Sequence, residues 1–202
     1  LLALIIEVRQ HNFNLEKIPI RITVSGTRGK TSTVRLIASI LRESGCKVLA
    51  KTTGTSPSYI LPDGTEEKIK RRGLTNILEQ KRLVKMAAKL QVDYLVSEIM
   101  SIQAENHFVE SHMLLKPKYT VLTNLRPDHF DQADAGQMTD LYLNDLYPNS
   151  TLIIPEEELS ETIKSKLHAL KIRIISCSTP PSRAQNIVLA KALARELEVS
   201  ES

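Results

Sequence analysis

Six short apolar runs alternate along the chain with longer segments in which apolar residues recur every three or four positions. The runs 18–24, 47–51, 94–98, 119–123, 151–154 and 172–176 have the length and the Ile, Val and Leu content of strands. The segments 33–44, 77–90, 106–115, 137–146, 157–170 and 184–197 have the helical period. Strand–helix alternation predicts an α/β fold, a mainly parallel sheet with helices on both faces. The pattern breaks after residue 55. There the stretch 59–69, with Pro62-Asp63-Gly64 at its centre, predicts a hairpin. No internal repeat or low-complexity stretch interrupts the rest.

In such a sheet ligands bind beyond the carboxyl ends of the strands, so polar residues that follow strands carry the most weight. The first strand runs into Gly26-Thr27-Arg28-Gly29-Lys30-Thr31-Ser32 at the start of a helix. Glycines let the backbone come close to oxygen atoms, and a helix start favours an anion. Lys30 adds a point charge and the Thr31 hydroxyl is a ligand for Mg²⁺, so the stretch reads as a phosphate cradle for a nucleoside triphosphate. The spacing is unusual, because the common loop has a glycine where Val24 stands. The bland alternative is a surface turn with a chance Gly-Lys pair. Thr52-Thr53-Gly54-Thr55 follows the second strand, Glu98 ends the third, and residues 124–131 follow the fourth.

Glu98, on a buried strand, needs a partner to offset its burial, and a Mg²⁺ near Thr31 would supply one. A helix cap or a lysine pair would serve equally. Asn124, Asp128, His129 and Asp131 form the second polar cluster, stiffened by Pro127. His129 reads either as a metal ligand with a carboxylate setting its tautomer, or as a surface residue of an Asx-type turn. Lys68, Lys70, Arg71 and Arg72 form a basic cluster, either a solvated loop or an anion contact. His107 and His112 are five apart, a spacing that does not face one way on an α-helix, and both read as non-catalytic.

Composition narrows the classes further. The 202 residues suffice for one large domain, and 42% hydrophobic with 25% charged residues is ordinary for a globular chain. The charge of +4 is slight, there is no Trp, and aromatics are 4%, which argues against a nucleic-acid partner. Cys46 and Cys177 are too far apart for a metal or redox motif. The start, Leu1-Leu2-Ala3-Leu4-Ile5-Ile6, is too short for a membrane span. It reads as the opening of an amphipathic helix or as the stub of a membrane anchor.

Taken together, these residues resemble the Mur ligase superfamily, which includes the peptidoglycan amino-acid ligases and folylpolyglutamate synthetase. The loop Gly26-Thr27-Arg28-Gly29-Lys30-Thr31 resembles that superfamily's GTxGKT signature. Glu98 falls at its Mg²⁺-binding glutamate, and Asn124, Asp128, His129 and Asp131 match NxxxDHxD. Asn186 resembles the asparagine that contacts adenine. Within the superfamily the resemblance is to the ligase subunit of poly-γ-glutamate synthase, through Lys51-Thr52-Thr53-Gly54-Thr55 and the segment 70–81. It implies a P-loop NTPase-like central domain over 18–202, preceded by an N-terminal helix, 1–17, that ends a membrane anchor. Two departures stand out. No lysine lies between Lys118 and Lys164, where relatives often carry a carbamylated one, and the closing domain that the resemblance implies is expected to be missing from these 202 residues.

The resemblance implies an ADP-forming amide ligase with ATP and Mg²⁺ as cofactors. Lys30, Glu98 and His129 are its expected catalytic residues, with Thr31, Glu98 and His129 on metal. Gly26, Thr27, Arg28, Gly29, Lys30, Thr31, Ser32, Asn124 and Asn186 are expected at the nucleotide. Asp128 and Asp131 would orient His129, and Arg71 and Arg72 would contact a carboxylate. Glutamate or poly-γ-glutamate is the implied substrate and membrane subunits of a synthase the implied partners, with room for a homo-oligomer. The expected location is the cytoplasm or the cytoplasmic face of the membrane. Two rivals stand beside it. A P-loop GTPase or kinase would call for a guanine-reading N-K-x-D, which does not occur. A nucleotide-binding scaffold would bind ATP without ligase activity.

Overall fold

The computed structural model describes residues 2–71, 76–99, 101, 103–125, 135–144, 146–179 and 184–199. Its strands are β1 (Ile20–Ser25), β2 (Val48–Thr52), β3 (Ser58–Ile60), β4 (Glu66–Lys68), β5 (Tyr94–Glu98), β6 (Tyr119–Leu122), β7 (Thr151–Pro155) and β8 (Arg173–Cys177). The helices are α1 (Leu2–Glu16), α2 (Lys30–Glu43), α3 (Glu79–Leu90), α4 (Ala104–Phe108), α5 (Ala135–Asn144), α6 (Glu161–Ala169) and α7 (Ala184–Glu196).

The sheet order is β4-β3-β2-β5-β1-β6-β7-β8. The six strands from β2 to β8 are parallel, and β3 and β4 extend the β2 side as the expected antiparallel hairpin. At the hairpin tip Asp63 accepts from the Thr65 N–H at 2.9 Å, and Gly64 takes a positive φ of 87°. The outer strand β4 is charged and exposed, which protects an open sheet edge from pairing. The chain leaves β1 toward β2 and later returns past it to β6, so the direction of winding reverses at β1.

Side chains alternate between the two faces as the strand period requires. Ile22, Val24, Val48, Ala50, Val96, Val121 and Ile153 join one core with Val34, Ile37 and Leu41 of α2 and Leu189 and Leu193 of α7. On the other face Leu49 and Leu95 pack with Leu83, Val84 and Ala87 of α3 and with Leu15 and Ile18. Leu122, Leu152 and Ile154 pack there with Leu143 of α5 and Leu167 of α6. Helices on both faces are thus observed. Arg21 fastens the underside, donating to the carbonyls of Leu15, Ile18, Leu115 and Lys116 at 2.8–3.0 Å.

Four helical expectations change. The helix placed at 33–44 begins at Lys30, because Gly29 turns the chain in the left-handed region and starts the helix there. The segment 157–170 divides into a 3₁₀ turn, Glu156–Glu158, and α6, whose Ser160 cap accepts from the Ile163 N–H at 3.3 Å. The segment 106–115 is not an α-helix throughout. After α4 it continues as a π-helical segment, Val109–Leu115, so the α-helical spacing used for His107 and His112 does not hold there. His107 packs edge-on against Tyr142, and His112 stacks on Phe108 and lies beside Tyr147. The opening of α1 is not amphipathic either: residues 2–10 are all exposed, and only His11, Asn14 and Leu15 are buried. No described helix is long and apolar enough to cross a membrane.

Candidate active site

The reversal at β1 opens a crevice between the ends of β5, β1 and β6, where a doubly wound sheet binds ligands. The loop after β1 fills it. Gly26 has φ 116°, and a Cβ there would collide with the Thr123 hydroxyl and stand 2.9 Å from the Asn124 carbonyl oxygen. Gly29 has φ 84°, and a Cβ there would lie 2.8 Å from Asn186 Oδ1. Both positions therefore require glycine. The loop is bound to the segment after β6. Thr27 N–H donates to the Asn124 carbonyl at 3.2 Å, the Thr27 hydroxyl donates to Asn124 Oδ1, and Asn124 Nδ2 donates to the Arg28 carbonyl at 3.0 Å. The Thr123 hydroxyl donates to the Arg28 carbonyl at 2.6 Å, and Gln185 of α7 donates to the Thr123 carbonyl at 3.0 Å.

What this frame presents is an uncapped helix start. Gly29 offers no side-chain acceptor to the first N–H groups of α2, the kind of helix start that favours an anion. Lys30 donates to the Gly26 carbonyl at 2.7 Å, folded back over the loop that it would share with a phosphate. Behind it Glu98 is 4% exposed and accepts, on Oε2, both the Thr31 hydroxyl at 2.9 Å and the Thr53 N–H at 2.8 Å. Gly54 lets the β2 loop come this close, since a Cβ there would lie 3.0 Å from Thr31 Oγ1. A hydroxyl and a buried carboxylate side by side at an uncapped helix start are hard oxygen donors, a set suited to Mg²⁺, which takes few protein ligands and completes its shell with phosphate and water. The pair fits that ion. Among the described residues no group of three or more His, Cys, Asp or Glu is assembled.

Sequence comparison adds what geometry leaves open. The family of the Mur ligase middle domain matches residues 24–197. The chain belongs to that family. It is 31% identical over 175 residues to the PGA synthase CapB of Bacillus subtilis strain 168, covering 85% of this chain and 44% of that protein. It is 39% identical over 127 residues to the capsule biosynthesis protein CapB of Bacillus anthracis, covering 62% of this chain and 27% of that protein. The chain thus spans less than half the length of these relatives. Among solved structures, a bifunctional folylpolyglutamate synthase/dihydrofolate synthase with Mn, AMPPNP and L-glutamate bound superposes with a TM-score of 0.69 at 15% identity, over 96% of this chain and 58% of that one. At that identity the likeness shows a shared fold.

Of the residues expected from this family's motifs, Gly26, Thr27, Gly29, Lys30, Thr31, Glu98, Asn124 and Asn186 come together in one crevice. Asn124 spends its amide on holding the loop. Arg28 and Ser32 have exposed side chains, and the Arg28 carbonyl is the part built into the frame. His129, Asp128, Asp131 and Arg72 lie outside the described residues. Arg71 departs from expectation. Its guanidinium is not offered to a substrate carboxylate but donates to both oxygens of Glu79, at 2.8 and 3.0 Å.

That pair belongs to a network the sequence did not suggest. Lys51, in the middle of an apolar strand, has a wholly buried side chain with Nζ 3.2 Å from Glu79 Oε2. Burial pushes the Lys51 ammonium below the usual lysine range, against the pull of Glu79 and Glu110. Burial pushes the Glu79 carboxyl up, but the bonds from Arg71 and Lys51 outweigh it and hold the group below the ordinary carboxylate range. Gln80 and Glu110, both fully buried, continue the network toward β5. A charged residue flanked by Val48, Leu49 and Ala50 was the available signal. Its partners, 28 and 59 positions away, had none. Near the crevice, His107 is 2% exposed, and burial, reinforced by the positive Lys30, lowers its pKa to about 4.

Proposed function

We propose that the protein of which this chain is the ATP-binding unit, residues 18–202, is an ATP-dependent, ADP-forming amide ligase that acts on glutamate or poly-γ-glutamate. The observation that carries this reading is the junction at Glu98, where a single buried carboxylate joins the hydroxyl of an uncapped phosphate-binding helix to the loop after β2. Family membership supports the ligase class, and the names of the CapB relatives and the glutamate-bound synthase support the substrate.

In the reaction a substrate carboxylate oxygen attacks the γ-phosphorus, and the bond to the β,γ-bridging oxygen breaks to release ADP. The amine of the incoming amino acid then attacks the acyl carbon, the carbon–oxygen bond to phosphate breaks, and the amine loses its proton. Both steps bring anions together, so alignment and charge neutralisation carry the catalysis. The N–H groups at the start of α2 hold the β- and γ-phosphates, and Lys30 swings from the Gly26 carbonyl to the γ-phosphate. Thr31 and Glu98 would hold Mg²⁺, which supplies a Lewis acid on the phosphate oxygens. We assign His129 to a second divalent ion, with Asp128 and Asp131 orienting it. Asn186, stacked over Gly29, faces the nucleoside side. A groove of about 680 Å³ runs between α7 and β8, with Val188 and Ala192 on its apolar wall. The exposed apolar opening of α1 fits a membrane-side partner.

The test is ADP release from MgATP with and without glutamate and poly-γ-glutamate, using the full-length protein. Stimulated release that falls by two to three orders of magnitude in Lys30→Ala, the loss of one preorganised charge contact, is the expected result. Nucleotide binding without stimulation by either acceptor would instead mark a nucleotide-binding scaffold. Full turnover in Lys30→Ala would overturn the phosphate assignment.

A further inference from the structure

The face of the sheet opposite α2 carries buried polar groups for which the proposed reaction has no use. Strand alternation sends Glu98 toward Thr31 and sends its neighbour Ser97 the other way, to Gln80 of α3. The Ser97 hydroxyl donates to Gln80 Oε1 at 3.1 Å. Gln80 Nε2 donates to Glu110 Oε1 and lies 3.5 Å from the Glu98 carbonyl oxygen. Glu110 Oε2 accepts from Ser101, from its N–H at 3.2 Å and its hydroxyl at 2.9 Å. On the other side of Glu98 the Ile99 N–H donates to the Val24 carbonyl at 3.0 Å. The backbone that carries the carboxylate is therefore held at Ser97, at Glu98 itself, at Ile99 and at Ser101.

The π-helical segment makes this possible. Its wider turn places Glu110 under the strand end, and such segments recur at functional sites. A fully buried carboxylate costs free energy unless it is compensated. A hydrophobic residue at 110 would fill the space without that cost, but it would release Ser101 and Gln80. The arrangement makes sense as a device for direction rather than for stability.

We propose that Gln80 and Glu110 are positioning residues for the divalent cation at Thr31 and Glu98. They act through the β5 end to aim the Glu98 carboxylate, and they touch neither metal nor nucleotide. The inference rests on the metal assignment made above. Partners one shell out from a metal ligand are worth roughly 10–100-fold in metal affinity.

The experiment measures Mn²⁺ binding to the ATP complex of the full-length protein by electron paramagnetic resonance. In parallel, ATP affinity without metal is measured in EDTA. In Gln80→Leu and Glu110→Gln the Kd for Mn²⁺ should rise about tenfold or more, with metal-free ATP affinity within about twofold of the parent. Ser101→Ala, which removes only the hydroxyl contact, should rise less and covers the case in which the other two fail to fold. Unchanged Mn²⁺ affinity in folded variants overturns the inference, as does an equal loss of metal and metal-free nucleotide binding. If the parent protein itself binds no Mn²⁺ with ATP, the metal assignment falls instead, and the two failures are distinct.

Discussion

The two faces of the sheet treat charge in opposite ways. On the α2 face Lys30 lies folded over a loop carbonyl, and the helix start has no side-chain cap. On the α3 face Lys51 and Arg71 are paired with Glu79, and Glu110 is bonded to Gln80 and Ser101. The first presents a helix start without a side-chain cap, and the second pairs its charges among its own side chains. A polar group at a sheet edge is thus best judged by what its neighbours leave for a ligand, not by its charge.

The contrast breaks most visibly if Lys51 is removed. Lys51→Met should cost about 3–5 kcal/mol of unfolding free energy, because it leaves buried carboxylates short of a partner. Urea denaturation would detect this, and a loss below about 1 kcal/mol would mean that the network is not a closed unit. Lys30→Ala should do the reverse. Unfolding without nucleotide should shift by less than about 1 kcal/mol, while the added stability from saturating MgATP should largely disappear from thermal melts. A large loss without nucleotide would make Lys30 a structural residue like Lys51.

His107 makes the stability of the fold depend on pH. Its imidazole stays neutral in the folded chain down to about 4, while an unfolded histidine takes up its proton near 6.5. The unfolded state therefore binds more protons between these values. The stability contributed by the neutral ring is whole above pH 6.5 and is lost as pH falls toward 4, by on the order of 3 kcal/mol. Glu79, whose carboxyl is held low, adds an acid loss of the same sign below its ordinary range. Urea midpoints at pH 7 and pH 4.5 should converge in His107→Gln, and an unchanged difference would remove His107 as the cause. The smallest expected effect lies far from both networks. Ser160→Ala at the α6 cap should cost about 1 kcal/mol in the same assay and leave MgATP stabilisation intact.

Much of the crevice was legible because its residues sit next to strand ends that the apolar runs mark. Gly26, Gly29, Lys30, Thr31 and Glu98 needed only the β1 and β5 boundaries and the rule about strand ends. The hairpin was legible from Pro62-Asp63-Gly64. Less could be read where pairing is distant or local geometry is rare. The partner of Lys51 sits on a helix 28 residues on, and periodicity does not encode which buried charge meets which. The segment 109–115 has ordinary helical composition, yet it winds as a π-helix that bonds Ser101 through Glu110 and Arg21 through the Leu115 carbonyl. The partner of Arg71 was hidden for the same reason: a basic cluster advertises charge but not the acid that already holds it.

The strand order also governs how the protein is made. β1 and β2 follow each other along the chain, yet β5 lies between them, and the bonds of Glu98 to Thr31 and Thr53 exist only once it has arrived. The crevice is therefore built from contacts 45 and 67 residues apart that no early hairpin or helix pair can supply. Contacts so distant in sequence form slowly, because loop closure is paid before they reward it. During refolding, helicity and collapse should precede nucleotide capture, and a chain caught between the two would be compact yet blind to ATP.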